Sequence, residues 1–469
     1  MSFTDILGQL PLLKSYTHIL LCFPLPDSQR DSVVDSLQCA TKRLLSAFPF
    51  LAGVVVHKDI APGHSGTFSV ERFSDPDIDP EEKVTRILHI RDLSSVLPPY
   101  SALQSARAPP SMLPGTLVAP SRPAFPRIYT ESSAPVLDIQ ASLISGGFLL
   151  TIAAQHNVID ATGIFYIAHV LSRLMDNHPD PIPAAEIALG NMDRSSLIPL
   201  LHDDLPLPKE MEMFTQEYPK PLPLEILAQF KWSLVHFPPE SLKAIHDEAV
   251  SNPRDLVAGG EGVSVNDAVT AFVWKRLTLV RAAHMKAKEE GEQDKTDVEE
   301  PTTQLTRAAD LRRCMSLSPA YMGHMVRTSN LRLSVSTVTN SSLSHLSSSL
   351  RACLKAHTTK ASITNYATLL SRTSDKSKLL YAGEFNPLND FSVSSVAHVE
   401  MPSFGRDLGR PEFVRRPTFG PLPGGMYVGP GSGRGPGGQG LDAVVCLRGW
   451  EVEGLTGDPE WNRFVEFVE

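Results

Sequence analysis

The segment Gln155-His156-Asn157-Val158-Ile159-Asp160 places an imidazole four residues before a carboxylate. A neutral imidazole, whose ordinary pKa is about 6.5, can take a proton from a hydroxyl group. The His-x-x-x-Asp spacing occurs once in the chain, but by itself it carries little information, and a satisfied core histidine is the plain alternative. The position of His156 between a buried strand pattern and a helix pattern favours the chemical interpretation.

Asp160 has three interpretations. It could orient the imidazole of His156, as the aspartate of a serine-protease triad does. It could instead cap a helix that begins at Ala161, or pair with a distant arginine and so fix the loop. The short spacing favours a structural role for Asp160 over a catalytic dyad.

Hydrophobic periodicity predicts the elements around His156. Apolar residues alternate over 137–143 and again over 148–154, and Gly146-Gly147 between them predicts the turn of a β-hairpin. Apolar residues then recur at helical spacing over 164–174. We therefore expect a rigid strand-to-helix junction that presents His156 to a cleft.

The rest of the chain alternates helices and loops. Further helices are predicted from apolar spacing at 31–48, where a strand follows at 54–56, and at 268–279 and 334–349. Loops are predicted from proline, charge and glycine content at 98–126, 286–300 and 424–440. We expect the proline-rich loop to be extended, the charged loop to be exposed and the glycine-rich loop to be a mobile hairpin connection without phosphate-binding order.

The chain length predicts two domains, because 469 residues exceed what one hydrophobic core usually holds. The polar, proline-rich segment 206–224 is the predicted linker between an N-terminal domain, 1–205, and a C-terminal domain, 225–469. Two domains imply a cleft between them.

Composition excludes several classes of partner. A net charge of -9, without a basic face, argues against nucleic acid. The five scattered cysteines predict reduced, mostly buried thiols. No apolar run reaches the length of a membrane span, and no motif typical of metal sites is present, so we expect no membrane span, no metal and a cytoplasmic location.

Several motifs in order along the chain resemble those of the fungal branch of the BAHD-type acyltransferases, typified by trichothecene O-acetyltransferases. They are Asp5–Gln9, Phe48–Gly53, Gly146–Phe148, the His156 segment, Val265–Ala268, Phe272–Trp274, Arg307–Arg312, Tyr321–His324, Ser403–Pro411 and Arg415–Pro417. The resemblance implies an α/β fold of two chloramphenicol-acetyltransferase-like domains. Each would be a mixed β-sheet flanked by helices, with a substrate tunnel between the two.

The resemblance also implies a monomeric enzyme that uses acetyl-CoA, or another acyl-CoA, as co-substrate without a permanent cofactor. His156 would deprotonate a hydroxyl of a small hydrophobic alcohol as it attacks the thioester carbonyl, in one ternary complex. Asp160 would hold the loop by a salt bridge, and Arg312 is the best candidate for its partner.

Other site residues are also assigned by the resemblance. Ser395, Gly163 and His324 are expected to contact substrate or CoA, although a hydrogen-bonded structural role is the alternative for His324. Asp407, Gly405 and Gly409 are expected to give structural support, as Arg312 does.

The chain departs from the family pattern at three places, one of which is Gly323-His324 in the position of the usual Gly-Asn pair. Asp-Phe-Gly-x-Gly becomes Ser403-Phe404-Gly405 with an insertion before Asp407-Leu408-Gly409, and Val396 replaces a tryptophan. These departures motivate a second hypothesis, a member that binds a ligand in the tunnel without acyl transfer. A third is a condensation-type enzyme that uses a carrier-protein thioester. The first hypothesis, acylation of a hydroxyl on a hydrophobic secondary metabolite, is favoured.

Overall fold

The computed structural model describes residues 2–71, 79–124, 131, 133–176, 178–216, 221–289, 300–431 and 440–469. The strands of these residues are β1 (Tyr16–Pro24), β2 (Val54–Ala61), β3 (His64–Glu71), β4 (Leu88–Asp92), β5 (Ser133–Pro135), β6 (Leu137–Ile144), β7 (Gly147–Gln155), β8 (Phe230–Phe237), β9 (Thr302–Asp310), β10 (Val326–Ser334), β11 (Phe391–Ser395), β12 (Phe413–Arg415), β13 (Gly425–Pro430), β14 (Leu441–Arg448) and β15 (Glu466–Phe467).

The helices of the same residues are α1 (Arg30–Ala47), α2 (Pro80–Ile87), α3 (Tyr100–Ser105), α4 (Gly115–Val118), α5 (Ala161–Met175), α6 (Ala184–Gly190), α7 (Leu224–Leu227), α8 (Pro239–Val250), α9 (Val265–Glu289), α10 (Val335–Asn340), α11 (Leu343–His357), α12 (Lys360–Arg372), α13 (Gly405–Leu408), α14 (Gly449–Thr456) and α15 (Pro459–Phe464).

The first half of the chain builds a mixed sheet in the order β12-β1-β7-β6-β4. β6 and β7 form the predicted hairpin, with Leu137 opposite Ala154, and Gly146 at its turn has a φ of 71°. Every residue of β7 is buried, because helices cover one face of the sheet and the proline-rich segment covers the other. The strand that delivers His156 is therefore held rigidly on both faces.

The second half builds a larger mixed sheet in the order β10-β9-β11-β13-β14-β8-β15. β9, β11 and β13 run parallel to one another, and the remaining pairs are antiparallel. A third, small sheet has the order β3-β2-β5. Among the described strands, β12 is the only one from the second half of the chain that joins the sheet of the first half, where residues 413–415 pair with Leu20–Cys22 of β1.

Two large apolar cores lie beside the two large sheets. One is shared by β1, β6, β7, α1 and α5, and the other by α8, α9, α11 and the strands of the larger sheet. The two sheets fall on either side of 206–224 apart from β12, and the division into domains at that segment stays a prediction. Residues 217–220 of it lie outside the described residues.

Most predicted elements are confirmed, whereas the predictions for the proline-rich stretch and for the cysteines are wrong, and the prediction for the glycine-rich stretch is wrong in part. The helices at 31–48, 268–279 and 334–349 are present, although the second extends over all of α9 and the third is divided between α10 and α11. The proline-rich stretch is not an extended loop, because α3 and α4 form within it, each directly after a proline that precedes the first helical turn. The five cysteines are free but not mostly buried, since only Cys22 and Cys446 are buried.

Two predicted loops lie partly outside the described residues. Of the charged run, 290–299 are not described, and its first residues continue α9. The prediction of a loop throughout 424–440 is wrong for its first part, because β13 forms within it and pairs with β14 as an antiparallel hairpin. Residues 432–439 of the glycine-rich run are not described.

Candidate active site

His156 follows the last residue of β7 and lies in a turn. Its backbone N–H donates to the carbonyl oxygen of Ser15 at 2.8 Å, which ties the turn to the start of β1. Its side chain lines a cavity of about 160 Å³ between the two large sheets. The cavity walls come from β1, β8, β13 and β14, together with residues 416–422.

The imidazole of His156 is held neutral. Burial lowers its pKa to about 3, and the neighbouring His324 and Arg416 lower it further, whereas Asp160 acts in the opposite direction. A neutral ring has a lone pair that can accept a proton. His156 is therefore in the protonation state that a general base needs at neutral pH.

Asp160 is fully buried and is occupied by partners other than His156. Its two carboxylate oxygens accept from Arg312 at 2.8 and 2.9 Å, from the backbone N–H of Gly163 at 2.9 Å and from that of Met325 at 2.9 Å. Burial raises the pKa of Asp160, but the charge and hydrogen bonds of Arg312 outweigh it and hold the pKa below its ordinary value. Asp160 thus caps α5 and anchors an ion pair.

Arg312 uses all of its side-chain nitrogens. Besides the bidentate pair with Asp160, Nη1 donates to Asp310 at 3.1 Å, Nε to the carbonyl of Tyr321 at 2.9 Å and Nη2 to the carbonyl of Gly323 at 2.8 Å. The pair therefore joins the start of α5 to the segment 321–325 of the second half. Within the described part of the chain, no hydrogen bond links Asp160 to His156, so the geometry is that of a scaffold.

His324 lies beside the base. Its ring is fully buried and is 5.0 Å from the ring of His156, centroid to centroid, with an interplanar angle of 72°. Its backbone N–H donates to Asp5 at 3.0 Å, and Asp5 also accepts from the hydroxyl of Tyr321. Burial raises the pKa of Asp5 to about 6, against the opposing charge of Arg194. The geometry puts His324 against His156, behind the cavity wall.

The N-terminal segment grips the loop between His156 and Asp160. The side-chain amide of Asn157 donates to the carbonyl oxygens of Gly8 and, at 3.0 Å, Leu10. Gly8 must be glycine, because a Cβ there would lie 2.0 Å from the carbonyl oxygen of Asn157. Arg194 adds a bond of 3.1 Å to the carbonyl of Val158. The loop is thereby held by the N-terminal segment and by Arg194.

Gly163 and Ser395 contribute by position. A Cβ on Gly163 would meet the carbonyl oxygen of Met322 at 2.4 Å, so glycine allows α5 to approach the 322–325 segment closely. Ser395 ends β11, but its neighbour Ser394 is the serine that lines a cavity. Alternation along a strand sends successive side chains to opposite faces, which separates these two serines.

The segment around Gly405 and Gly409 lies apart from His156. Both glycines have positive φ values, 72° and 63°, at the two ends of α13. Asp407 is exposed and accepts from the hydroxyl of Ser32 at 3.3 Å, whereas Phe404 is buried edge-on against Phe23. Asp407 and Gly409 line a separate surface concavity of about 560 Å³, which does not include His156.

The structure adds residues that sequence reasoning did not single out. A second cavity, of about 60 Å³, shares Thr17, Arg416, Tyr427 and Val444 with the first. Trp232 stacks on Tyr427 at 5.3 Å and forms an aromatic wall of the first cavity. Arg416 stands in the Arg415–Pro417 motif, which gave a signal, but nothing in the sequence pairs it with Tyr427 or His156.

The described residues contain no group of three or more His, Cys, Asp or Glu side chains arranged to hold a metal ion. Over the same residues, no helix is both long enough and apolar enough to cross a membrane.

Two mixed, helix-flanked sheets with a cavity between them define a fold of the chloramphenicol-acetyltransferase-like class. A family profile described as a trichothecene 3-O-acetyltransferase-like N-terminal domain matches residues 15–174, and one described as the Transferase family matches residues 125–461. The chain belongs to the Transferase family of BAHD-type acyltransferases, in its fungal branch.

Similar proteins match the whole chain. O-acyltransferase pigD of Monascus ruber is 35% identical over 99% of this chain and 98% of its own, and O-acetyltransferase epaC of Aspergillus niger is 30% identical over 99% and 96%. The crystal structure of TRI101 from F. sporotrichioides with coenzyme A and T-2 covers 99% of both chains with a TM-score of 0.83 at 30% identity. The fold class expected from the sequence is confirmed by this match.

Proposed function

We propose that this protein transfers the acyl group of an acyl-CoA, most simply acetyl-CoA, to a hydroxyl group of a hydrophobic secondary metabolite, with His156 as general base. The observation that carries the proposal is the neutral imidazole of His156 on the wall of the cavity between the two sheets. Family membership supplies the acyltransferase chemistry, and the site supplies the base.

In this reaction His156 acts first as a base and then, once protonated, as an acid. A ring nitrogen of His156 takes the proton of the hydroxyl while the alcohol oxygen attacks the thioester carbonyl carbon. The π electron pair of the carbonyl bond moves onto the carbonyl oxygen. The resulting tetrahedral intermediate collapses, the carbon–sulfur bond breaks, and the imidazolium gives its proton to the thiolate. Ester and free CoA result, without an acyl-enzyme. Holding both substrates in one cavity supplies much of the remaining rate through orientation.

The cavity favours an apolar acceptor. Trp232, Phe419, Leu422 and Tyr427 line it, so a largely apolar molecule would be desolvated there with only its hydroxyl beside the base. Relatives named trichothecene 3-O-acetyltransferase and eremophilane O-acetyltransferase support an oxygenated, largely hydrocarbon acceptor.

Within this scheme the other site residues have supporting roles. Asp160 and Arg312 hold the loop of His156, and Gly163 lets α5 pack against that ion pair. We assign His324 to packing behind the base, and Ser395 to the β11 edge whose neighbour Ser394 faces the second cavity. Gly405, Asp407 and Gly409 shape a turn remote from the chemistry. One chain carries the complete arrangement, which supports a monomer, and we place its work in the cytoplasm, where acyl-CoA is available.

The test mixes the protein with acetyl-CoA and a panel of hydrophobic alcohols and follows the release of free thiol. We expect turnover with at least one alcohol, and loss of about 10²-fold or more in His156→Ala because the base is gone. His202→Ala, at an exposed histidine, is the matched control and should keep full activity. Normal turnover by His156→Ala would rule out the assigned mechanism.

Calorimetry with CoA separates the proposal from the non-catalytic alternative. The proposal requires CoA binding by the folded protein, whereas a repurposed member that has lost acyl transfer need not bind CoA. A folded protein that neither binds CoA nor releases thiol would favour that alternative.

A further inference from the structure

Arg416 is placed at the junction of the two cavities. It follows β12, and its side chain lines both the cavity of His156 and the second cavity. In the lining of the His156 cavity, as far as the structure describes it, Arg416 is the only lysine or arginine. A positive charge therefore faces the same space as the base.

The guanidinium of Arg416 has no charged partner among the described residues, and it makes no hydrogen bond to them. Its contact is the ring of Tyr427, which lies 4.0 Å from the guanidinium carbon. Arg415 next to it behaves differently. Arg415 pairs with Asp442 at 2.9 Å and donates to the carbonyls of Ala108 at 2.9 Å and Arg107 at 2.7 Å.

This contrast decides between a structural and a chemical role. Arg415 fixes the backbone, since its charge and hydrogen bonds are satisfied within the protein. Arg416 stacks on an aromatic ring with its N–H groups unused by the described chain, at the edge of a cavity with mostly apolar walls. A partly desolvated guanidinium left without an anion is suited to an anion that arrives with the substrate or forms during the reaction.

The reaction creates one such anion. A neutral alcohol and a neutral thioester enter, and negative charge appears on the carbonyl oxygen when the tetrahedral intermediate forms. Donors fixed in advance at the position of that charge are commonly the largest source of rate enhancement in acyl transfer.

We propose that Arg416 is a catalytic residue whose guanidinium N–H groups donate to the thioester carbonyl oxygen as it becomes an oxyanion. The inference rests on the proposed acyltransferase function. His156 gains the alcohol proton and becomes positive, the carbonyl oxygen becomes negative, and Arg416 keeps its proton throughout. When the carbon–sulfur bond breaks, the carbonyl re-forms and the thiolate takes the proton from His156.

The surroundings of Arg416 keep its side chain in place before the substrate arrives. Tyr427 is itself stacked on Trp232, whose indole N–H donates to the carbonyl of Gly420 at 2.8 Å. On the other side of the backbone, the Arg415–Asp442 pair ties β12 to β14, and Pro417 restricts the chain after Arg416. The guanidinium therefore needs little rearrangement when the oxyanion forms.

The test compares wild type, Arg416→Met and Arg416→Lys in thiol-release kinetics with acetyl-CoA and the alcohol that wild type accepts. We expect kcat to fall about 10²- to 10³-fold in Arg416→Met, because a donor to the oxyanion is lost, with KM for acetyl-CoA changed only a few-fold. Arg416→Lys keeps the charge and should recover part of kcat. Added guanidinium ion should partly restore the turnover of Arg416→Ala.

A second readout separates this role from a loss of folding. NMR titration of the His156 ring should give a higher pKa in Arg416→Met, because a positive charge that opposes protonation is gone. Arg406→Met, at an exposed arginine of α13, is the control and should change neither kcat nor this pKa. Thermal melting of each variant checks that the protein remains folded.

The outcomes are distinct. Wild type that turns over no alcohol overturns the proposed function and the inference with it. Active wild type with kcat of Arg416→Met within threefold of it overturns the inference alone. A large rise in KM at unchanged kcat also overturns it, since Arg416 would then bind an anionic part of a ligand in the ground state.

Discussion

At the scale of the residue, the ion pair of Asp160 and Arg312 shows how a motif with a catalytic appearance can be structural. Both side chains are buried, and Asp160 has four hydrogen bonds to groups other than His156. A buried charge is costly when it loses its partner, whatever the pair contributes when intact. Asp160 therefore acts on His156 mainly through the shape of the loop.

Asp160→Asn should lower the free energy of unfolding by about 3–5 kcal/mol, because Arg312 would keep its charge in a buried site without its main partner. Urea denaturation followed by circular dichroism measures this. Asp35→Asn, at an exposed carboxylate within α1, serves as control and should leave the midpoint unchanged. A stable Asp160→Asn protein with a tautomer change at His156 would point instead to a catalytic dyad.

The pH dependence of activity follows from the lowered pKa of His156. With a pKa of about 3 against 6.5 for the free group, the base remains neutral from pH 8 down to the acid range. We expect kcat/KM to stay constant as the pH is lowered past 6.5, and to decline only as the pH approaches the pKa of about 3. An inflection near 6.5 in kcat/KM of the free enzyme would contradict this.

The lowered pKa values of buried histidines also predict how the stability of the fold depends on pH. His18 and His156 both have pKa values of about 3 in the folded protein, chiefly because burial disfavours their charged forms. The unfolded chain binds protons at these groups below about 6.5, so their contribution to stability is full above that pH and is lost as pH falls toward 3. A urea midpoint that does not decrease as the pH is lowered from 6.5 to 4 would argue against neutral rings of His18 and His156.

The sequence revealed His156 but not Arg416, and the reason is physical. His156 lies between a strand pattern and a helix pattern, so the residues next to it in the sequence indicate its position. The role of Arg416 depends on Tyr427, Trp232 and His156, which the fold brings together from three distant segments. Only the first kind of arrangement leaves a pattern in a single sequence.

At the scale of the element, the start of α5 is placed by close backbone contact. Gly163 follows the cap at Asp160 and faces the carbonyl of Met322. The hairpin and α5 were predictable because their apolar residues alternate with a period of 2 and 3.6, respectively. The short helices α3 and α4 were not, because prolines that normally mark loops also start helices.

Gly163→Ala should destabilise the protein by about 1–3 kcal/mol, because its Cβ would overlap the carbonyl oxygen of Met322 and push α5 away from the ion pair. Activity should fall with it, since the His156 loop precedes α5. Gly449→Ala is the control, because a Cβ there meets nothing within 4 Å and alanine favours the helix α14. Denaturation midpoints and thiol-release rates of the two variants, taken together, test the contact.

At the scale of the whole molecule, β12 and the Arg415–Asp442 pair join the two large sheets. Asp442 belongs to β14 of the larger sheet and also accepts from His236 at 2.6 Å, whereas Arg415 ends the strand added to the smaller sheet. The sequence predicted two domains from length and a central linker. It could not predict that three residues of the second half would complete the sheet of the first.

Arg415→Met should weaken both sheets together, because Asp442 loses a buried partner and β12 loses its anchor to β14. We expect faster hydrogen exchange at the amides of Leu20–Cys22, next to β12, as well as a lower unfolding midpoint. Arg410→Met, at an exposed arginine, is the comparison and should leave exchange in β1 unchanged. Protection of β1 that is unaffected in Arg415→Met would show that β12 needs no such anchor.

The pairing of β12, from the second half of the chain, with β1 of the first half has a consequence for recombining this protein with its relatives. A chimera joined between 206 and 224 would put β1 of one parent beside β12 of the other, so the pairing of Leu20–Cys22 with Phe413–Arg415 would become a mixed seam. Hybrids that also carry residues 412–416 from the parent of the N-terminal half would keep that seam native. Gene shuffling should therefore treat this enzyme as three pieces. The smallest, residues 412–416, contains Arg416 and comes from the parent of the N-terminal half.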